Sequence, residues 1–186
     1  TMQRDKLLRD NIETQLLRLT NQLKDLEESR EDLGNDEYEE MKQETISQLR
    51  EFQASLENMM QGNLTVVDEL GHIRLAIQAA ISAAFKTPEV ISLFAKKQPQ
   101  QLRQRLEQHK RDFQLQKISE DVFHARAVEI LVALKHLGDT LTPQESEILE
   151  RYGKDSLAQF SLASNAVGEK NLFSATKSQI LSAQKK

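Results

Sequence analysis

The segment that decides the fold is residues 119–160, SEDVFHARAVEILVALKHLGDTLTPQESEILERYGKDSLAQF. Ser119 is a good helix N-cap because its hydroxyl can accept a hydrogen bond from a free amide of the first turn. Gly138 is suited to end that helix, since glycine adopts the left-handed conformation without a steric penalty. Thr142 followed by Pro143 then begins a second helix. The segment therefore predicts a helical hairpin.

The first helix of this hairpin has apolar residues on two sides. At 100° per residue, one broad face carries Val122, Phe123, Ala127, Ile130, Leu131, Ala133, Leu134 and Leu137. Val128 and Val132 lie on the opposite side, among the polar residues His124, Lys135 and Glu129, and need a cover. Either another helix of the chain packs on this second ridge or a partner protein does.

The N-terminal third predicts two long amphipathic helices. Leucine and isoleucine recur with the 4-3-4-3 spacing of a coiled-coil seam at Ile12, Leu16, Leu19, Leu23 and Leu26, and Leu33 completes the seam after Arg30 takes the intervening position. Gly34 and Asn35 interrupt this pattern, and a second helix follows to Gly62. The short turn favours an antiparallel hairpin within one chain, and hence a monomer, over a zipper between two chains. Because three heptads are near the minimum for a dimer, the zipper stays open as an alternative.

The middle of the chain predicts the structural centre. Residues 70–85, LGHIRLAIQAAISAAF, are apolar on almost every side, which is typical of a buried helix. Thr87-Pro88 and then Pro99 begin two further helices, the second with Leu102, Leu106 and Phe113 on its inward face. Beyond Phe160 the periodicity is lost, and residues 161–186 are predicted to form a flexible tail.

Composition argues against several classes of function. The chain has no cysteine, and its four histidines lack the spacing of metal ligands, so we expect neither metal nor other cofactor. Without a phosphate-binding glycine loop or a nucleophile motif, no enzyme is predicted. The net charge is −4, divided as −7 over residues 1–62, +4 over 63–118 and −1 over 119–186. We expect no nucleic-acid partner, since the chain is acidic overall, and no membrane span or signal peptide, hence a place in the cytosol or nucleus.

The hairpin segment also resembles the helical domain of ICAT, an inhibitor that binds the armadillo repeats of β-catenin. The similar parts are Phe123, residues 128–135, 137–138, 141–142 and 145–152. Outside the hairpin the chain resembles members of this family in which a leucine-zipper segment precedes the ICAT-homologous domain, over residues 24–28, 36–40, 67–70, 75–82, 84–91 and 93–99.

The resemblance implies a non-enzymatic module that binds β-catenin and modulates Wnt signalling. Together with the second ridge, it gives these candidate contact residues: Phe123, Ala127, Val128, Ile130, Val132, Lys135 and, in the tail, Phe173. The tail carries one acid, Glu169, against four lysines, whereas the family's tail is acidic and follows a basic groove. Like charge in that groove predicts much weaker binding than that of ICAT. The alternative is a helical scaffold with another partner.

The sequence thus predicts an all-α protein: an N-terminal antiparallel coiled-coil hairpin, followed by a helical bundle that contains an ICAT-like helical hairpin. The predicted divisions are residues 2–62, 63–118, 119–160 and 161–186.

Overall fold

The structure is a computed structural model that describes the backbone of residues 2–61 and 64–165, and the side chains of residues 3–61 and 70–165. Helices are the regular secondary structure of this part of the chain, and none of its residues forms a strand, which confirms the predicted all-α class. The elements are α1 Met2–Glu28, α2 Asn35–Met60, α3 Leu64–Ile81, α4 Pro88–Ala95, α5 Pro99–Gln114, α6 Glu120–His136, α7 Pro143–Tyr152 and α8, residues 154–165. None of the described helices is both long and apolar enough to span a membrane.

The first two helices form a hairpin within one chain. α1 packs on α2, and both also pack on the central helices, α1 on α4 and α2 on α3. α1 ends at Glu28, before the predicted Leu33, because residues 29–33 form turns that lead to Gly34. Leu16 and Leu19 of the predicted seam are fully buried. The seam therefore lies inside the chain, while its coiled-coil character stays a prediction.

The predicted central helix is α3, and it is the core of the molecule. Ile73, Ala76, Ile77 and Ala79 have no exposed surface. The buried apolar residues form one cluster that reaches from Ile12 in α1 to Phe160 in α8.

The C-terminal region departs from the prediction at one end. Residues 161–165, which we expected to begin a flexible tail, continue α8, and Ala163 is buried. Phe160 explains this: its ring stacks on Phe85 at 5.2 Å and meets Phe94 edge-on, which holds α8 against the core. The predicted divisions of the chain otherwise stay predictions.

Candidate protein-binding surface

The predicted local signals build the hairpin of α6 and α7. Ser119 Oγ accepts a hydrogen bond from the Val122 amide at 3.3 Å, and Gly138 takes a positive φ of 83° after the end of α6. At the start of α7, Thr142 and Glu145 form a complete capping box, with bonds of 3.2 and 3.0 Å. The hairpin prediction is confirmed.

A partly buried group of three charged side chains fixes this hairpin to α5. The guanidinium of Arg103 donates to the carboxylates of Asp139 and Glu145 at 2.8 and 2.7 Å, and to the carbonyl of Thr140 at 2.7 Å. Burial by itself would raise the pKa of Glu145, but the hydrogen bonds from Arg103 and Thr142 and the nearby positive charges outweigh it and lower that pKa. The loop between α6 and α7 therefore has a fixed position.

A second polar contact fixes α6 to α4. The Glu129 carboxylate accepts hydrogen bonds from the Lys86 amide, from the Thr87 amide at 3.0 Å and from the Thr87 hydroxyl at 2.5 Å. Glu129 is only 8% exposed, although the sequence placed it among surface residues. From a distant helix it thus binds the backbone amide of Thr87, the N-cap of α4, whose own side chain makes no capping hydrogen bond.

Most of the predicted contact residues are buried in this structure. They are Phe123, Ala127, Val128, Ile130 and Val132, with 0–6% of their surface exposed. α6 packs on α4, α5 and α7, so the second ridge has its cover within the chain. In this conformation these five side chains belong to the core of the chain, and their contact with a partner stays a prediction. Lys135 is exposed, and Phe173 lies outside the described residues.

The end of α5 and the hairpin nevertheless carry a row of partly exposed aromatic rings around the buried Phe123, here called the aromatic strip: Phe113, Phe123, His124 and Tyr152. Consecutive ring centroids are 5.0, 5.5 and 3.8 Å apart, and the imidazole of His124 lies nearly parallel to the phenol of Tyr152. Phe113 is 37% exposed and Tyr152 is 46% exposed, whereas Phe123 is buried. The strip joins the end of α5, the first turn of α6 and the end of α7.

The strip was not predicted from the sequence. Phe113 was expected on the inward face of α5, and in the last turn of that helix it does stack on Phe123 of α6, but it keeps 37% of its surface exposed. The sequence shows that each of these residues is aromatic but not that their rings lie together. Val122, in the first turn of α6, is 38% exposed. Exposed aromatic rings with polar tips are typical anchors of protein interfaces.

The described residues offer no competing metal centre, since no three His, Asp or Glu side chains among them are placed to share an ion. His72 and His136 instead pack among aromatic rings around Phe94. Burial lowers the pKa of both, and that of His72 falls to about 4, with contributions from Lys97 and His136.

Comparison with known proteins places the strip within a family match. Residues 110–183 match the family model described as beta-catenin-interacting protein ICAT. The match covers 74 of the chain's 186 residues and supports a relation of this part of the chain to the ICAT family of interaction proteins. No solved structure matches the chain.

Proposed function

We propose that this chain is a non-enzymatic protein-binding module whose aromatic strip contacts the armadillo repeats of β-catenin, and that it thereby modulates Wnt signalling. One observation carries the proposal: all four residues of the strip fall within the part of the chain that matches the ICAT family model. The matched family is described by its interaction with β-catenin. A site of action in the cytosol or nucleus follows from such a partner.

The exposed aromatic surface of the strip supports its role in binding. Tyr152 and Phe113 keep a third to a half of their surface in contact with water. Covering such rings with a partner removes apolar area from water without a large loss of side-chain entropy. Because His124 and Tyr152 already stack on each other, their positions are set before binding, which lowers the cost of association.

The tail is the second proposed contact, through Phe173. Residues 161–186 carry a net charge of +3, from one acid against four lysines. In a groove lined by lysine and arginine this charge opposes binding, so the affinity is expected to be well below that of an acidic tail.

Titration of the full chain with the armadillo region of β-catenin, followed by calorimetry, tests the proposal. We expect binding in about the micromolar range, and a loss of about tenfold or more for a His124→Ala, Tyr152→Ala double variant. Leu7→Ala is the matched control, since Leu7 is 62% exposed on α1, outside the family match. Equal affinity of the double variant and the control would refute the role of the strip.

The second candidate is a helical scaffold whose partner is not β-catenin. The burial of Val128, Val132 and the other predicted contact residues favours it, because the faces of α6 are occupied by the chain's own helices. Absence of any binding in the same titration, with a folded protein, would support this candidate over the first.

A further inference from the structure

A cleft of 560 Å³ lies between the N-terminal hairpin and the connection from α3 to α4, here called the arm cleft. It is lined by α1, α2, the end of α3 and the connection itself. Its volume is within the range of about 300–1,000 Å³ that is common for binding sites. It shares no residue with the aromatic strip and is therefore a separate candidate site.

The floor of the arm cleft is apolar. It is lined by three half-buried side chains, Leu23, Ile46 and Ile81. Two buried side chains, Phe85 and Ile91, line it as well. An apolar side chain of a ligand could bury its surface here against existing side chains, which stabilises binding in proportion to the area removed from water.

The rim of the arm cleft is positively charged. Lys24, Arg30, Lys42 and Lys86 lie around it, against the two carboxylates of Glu27 and Glu28. This local excess of +2 stands out because residues 1–62 together carry −7.

The two carboxylates of Glu27 and Glu28 neutralise only part of the positive charge at the rim. Glu27 accepts a hydrogen bond from the buried hydroxyl of Tyr38 and lies 3.7 Å from Lys42 Nζ. Glu28 pairs with Lys24 at 3.6 Å, but both side chains are more than half exposed, so the pair contributes little.

Two of the cations are positioned by contacts within the chain. The guanidinium of Arg30 lies over the ring of the buried Tyr38, 4.7 Å from its centroid. The backbone of Lys86 is fixed because its amide donates to the Glu129 carboxylate. The charges are thus distributed over α1, the turn after it, α2 and the α3–α4 connection, and do not converge on one point.

We propose that the arm cleft binds an acidic peptide segment of a partner protein, with a bulky apolar side chain on the floor and its flanking carboxylates at the rim cations. Several carboxylates spread along a peptide match cations spread around a rim, whereas a fatty acid offers a single carboxylate. An apolar anchor set among charges of the opposite sign is a common mode of peptide recognition.

The absence of cysteine from the chain permits a specific reporter. Ala83→Cys places a single thiol at the cleft for an environment-sensitive dye, and Gln116→Cys is the matched control. Both positions are exposed connection residues with nearly equal positive φ, 59° and 58°, and only Ala83 lines the cleft.

The probes are 12-residue peptides selected from a random displayed library against the full chain. We expect enrichment of Asp and Glu around Leu, Phe or Trp, and a change of dye fluorescence at position 83 but not at 116. The affinity of the selected peptides should fall about tenfold or more in Lys24→Glu, Lys86→Glu and should also weaken as salt is raised. Lys24→Gln, Lys86→Gln provides a milder variant should the first one misfold.

Several results would overturn the proposal. These are a library without enriched peptides, enrichment without acidic residues, or selected peptides that bind the charge-reversed protein equally well. Dodecanoate that changes the fluorescence at position 83 and displaces the peptides would identify the cleft as a fatty-acid site instead.

Discussion

The guanidinium of Arg103 on α5 donates a 2.7 Å hydrogen bond to the carboxylate of Glu145 on α7, a residue only 3% exposed. The two residues lie 42 positions apart in the sequence. Their pairing fixes the ICAT-like hairpin to the central helices, and with it one end of the aromatic strip.

Removal of this guanidinium is expected to destabilise the whole fold. Arg103→Met leaves the buried Glu145 carboxylate without its main donor, which should lower the free energy of unfolding by about 2 kcal/mol or more. Urea denaturation measures the change. Arg105→Met is the control, since Arg105 pairs with Glu89 at 2.5 Å where both side chains are nearly half exposed, and it should cost less than about 1 kcal/mol. Equal losses in the two variants would contradict this account.

The Glu129 carboxylate should contribute to stability as the cap of α4. Glu129→Ala removes the acceptor for the Lys86 and Thr87 amides and should lower the free energy of unfolding by about 1–3 kcal/mol. A double-mutant cycle with Thr87→Val separates the hydroxyl contact from the amide contacts. Glu51→Ala, on the exposed face of α2, should change stability by no more than about 0.5 kcal/mol. A loss at Glu51 as large as that at Glu129 would rule out a capping role.

Stability should fall as the pH is lowered through the titration range of His72. The folded state lowers the pKa of His72 to about 4, so it favours the neutral ring. This contribution is complete above the unfolded pKa of about 6.5 and is lost as the pH falls from there towards 4. We expect a loss of about 1 kcal/mol, less than the full shift implies because the ring is still partly exposed to solvent. Urea midpoints at several pH values should show a weaker dependence for His72→Gln, and an unchanged dependence would contradict the assignment.

Gly153 should be sensitive to a single added methyl group. A Cβ at this position would lie 2.6 Å from the Leu149 carbonyl oxygen and 2.7 Å from Leu149 Cδ1. Gly153→Ala is therefore expected to lower the free energy of unfolding by about 1–3 kcal/mol. Gly34→Ala is the matched control, since Gly34 has open space around it and an extended conformation with φ −64°. Because Gly34 is also the N-cap of α2, where alanine is less favourable than glycine, the substitution should cost no more than about 0.5 kcal/mol, and thermal denaturation of both variants tests the contrast.

The parts of the fold that depend on local chemistry were predictable from the sequence. The caps at Ser119 and Thr142 and the helix end at Gly138 lie where expected, because each requires only a few neighbouring residues. The buried α3 followed from its composition.

The parts that depend on distant packing were not predictable. The sequence showed that Val128 and Val132 need a cover but not that the chain's own helices provide it. Glu129 looked like a surface residue, since its hydrogen-bond partners are 42 and 43 positions away. The partial exposure of Phe113 depends on how its ring packs on Phe123 of α6, which no local pattern records.

We propose that the ICAT-like hairpin binds its partner through the aromatic strip and not through the faces of α6 that are buried in the core. Hydrogen exchange of the full chain, with and without an excess of the β-catenin armadillo region, tests it most directly. We expect added protection from exchange in peptides that contain His124 and Tyr152, and no added protection in α1. Protection confined to α1 and α2, or no change at any position, would contradict it.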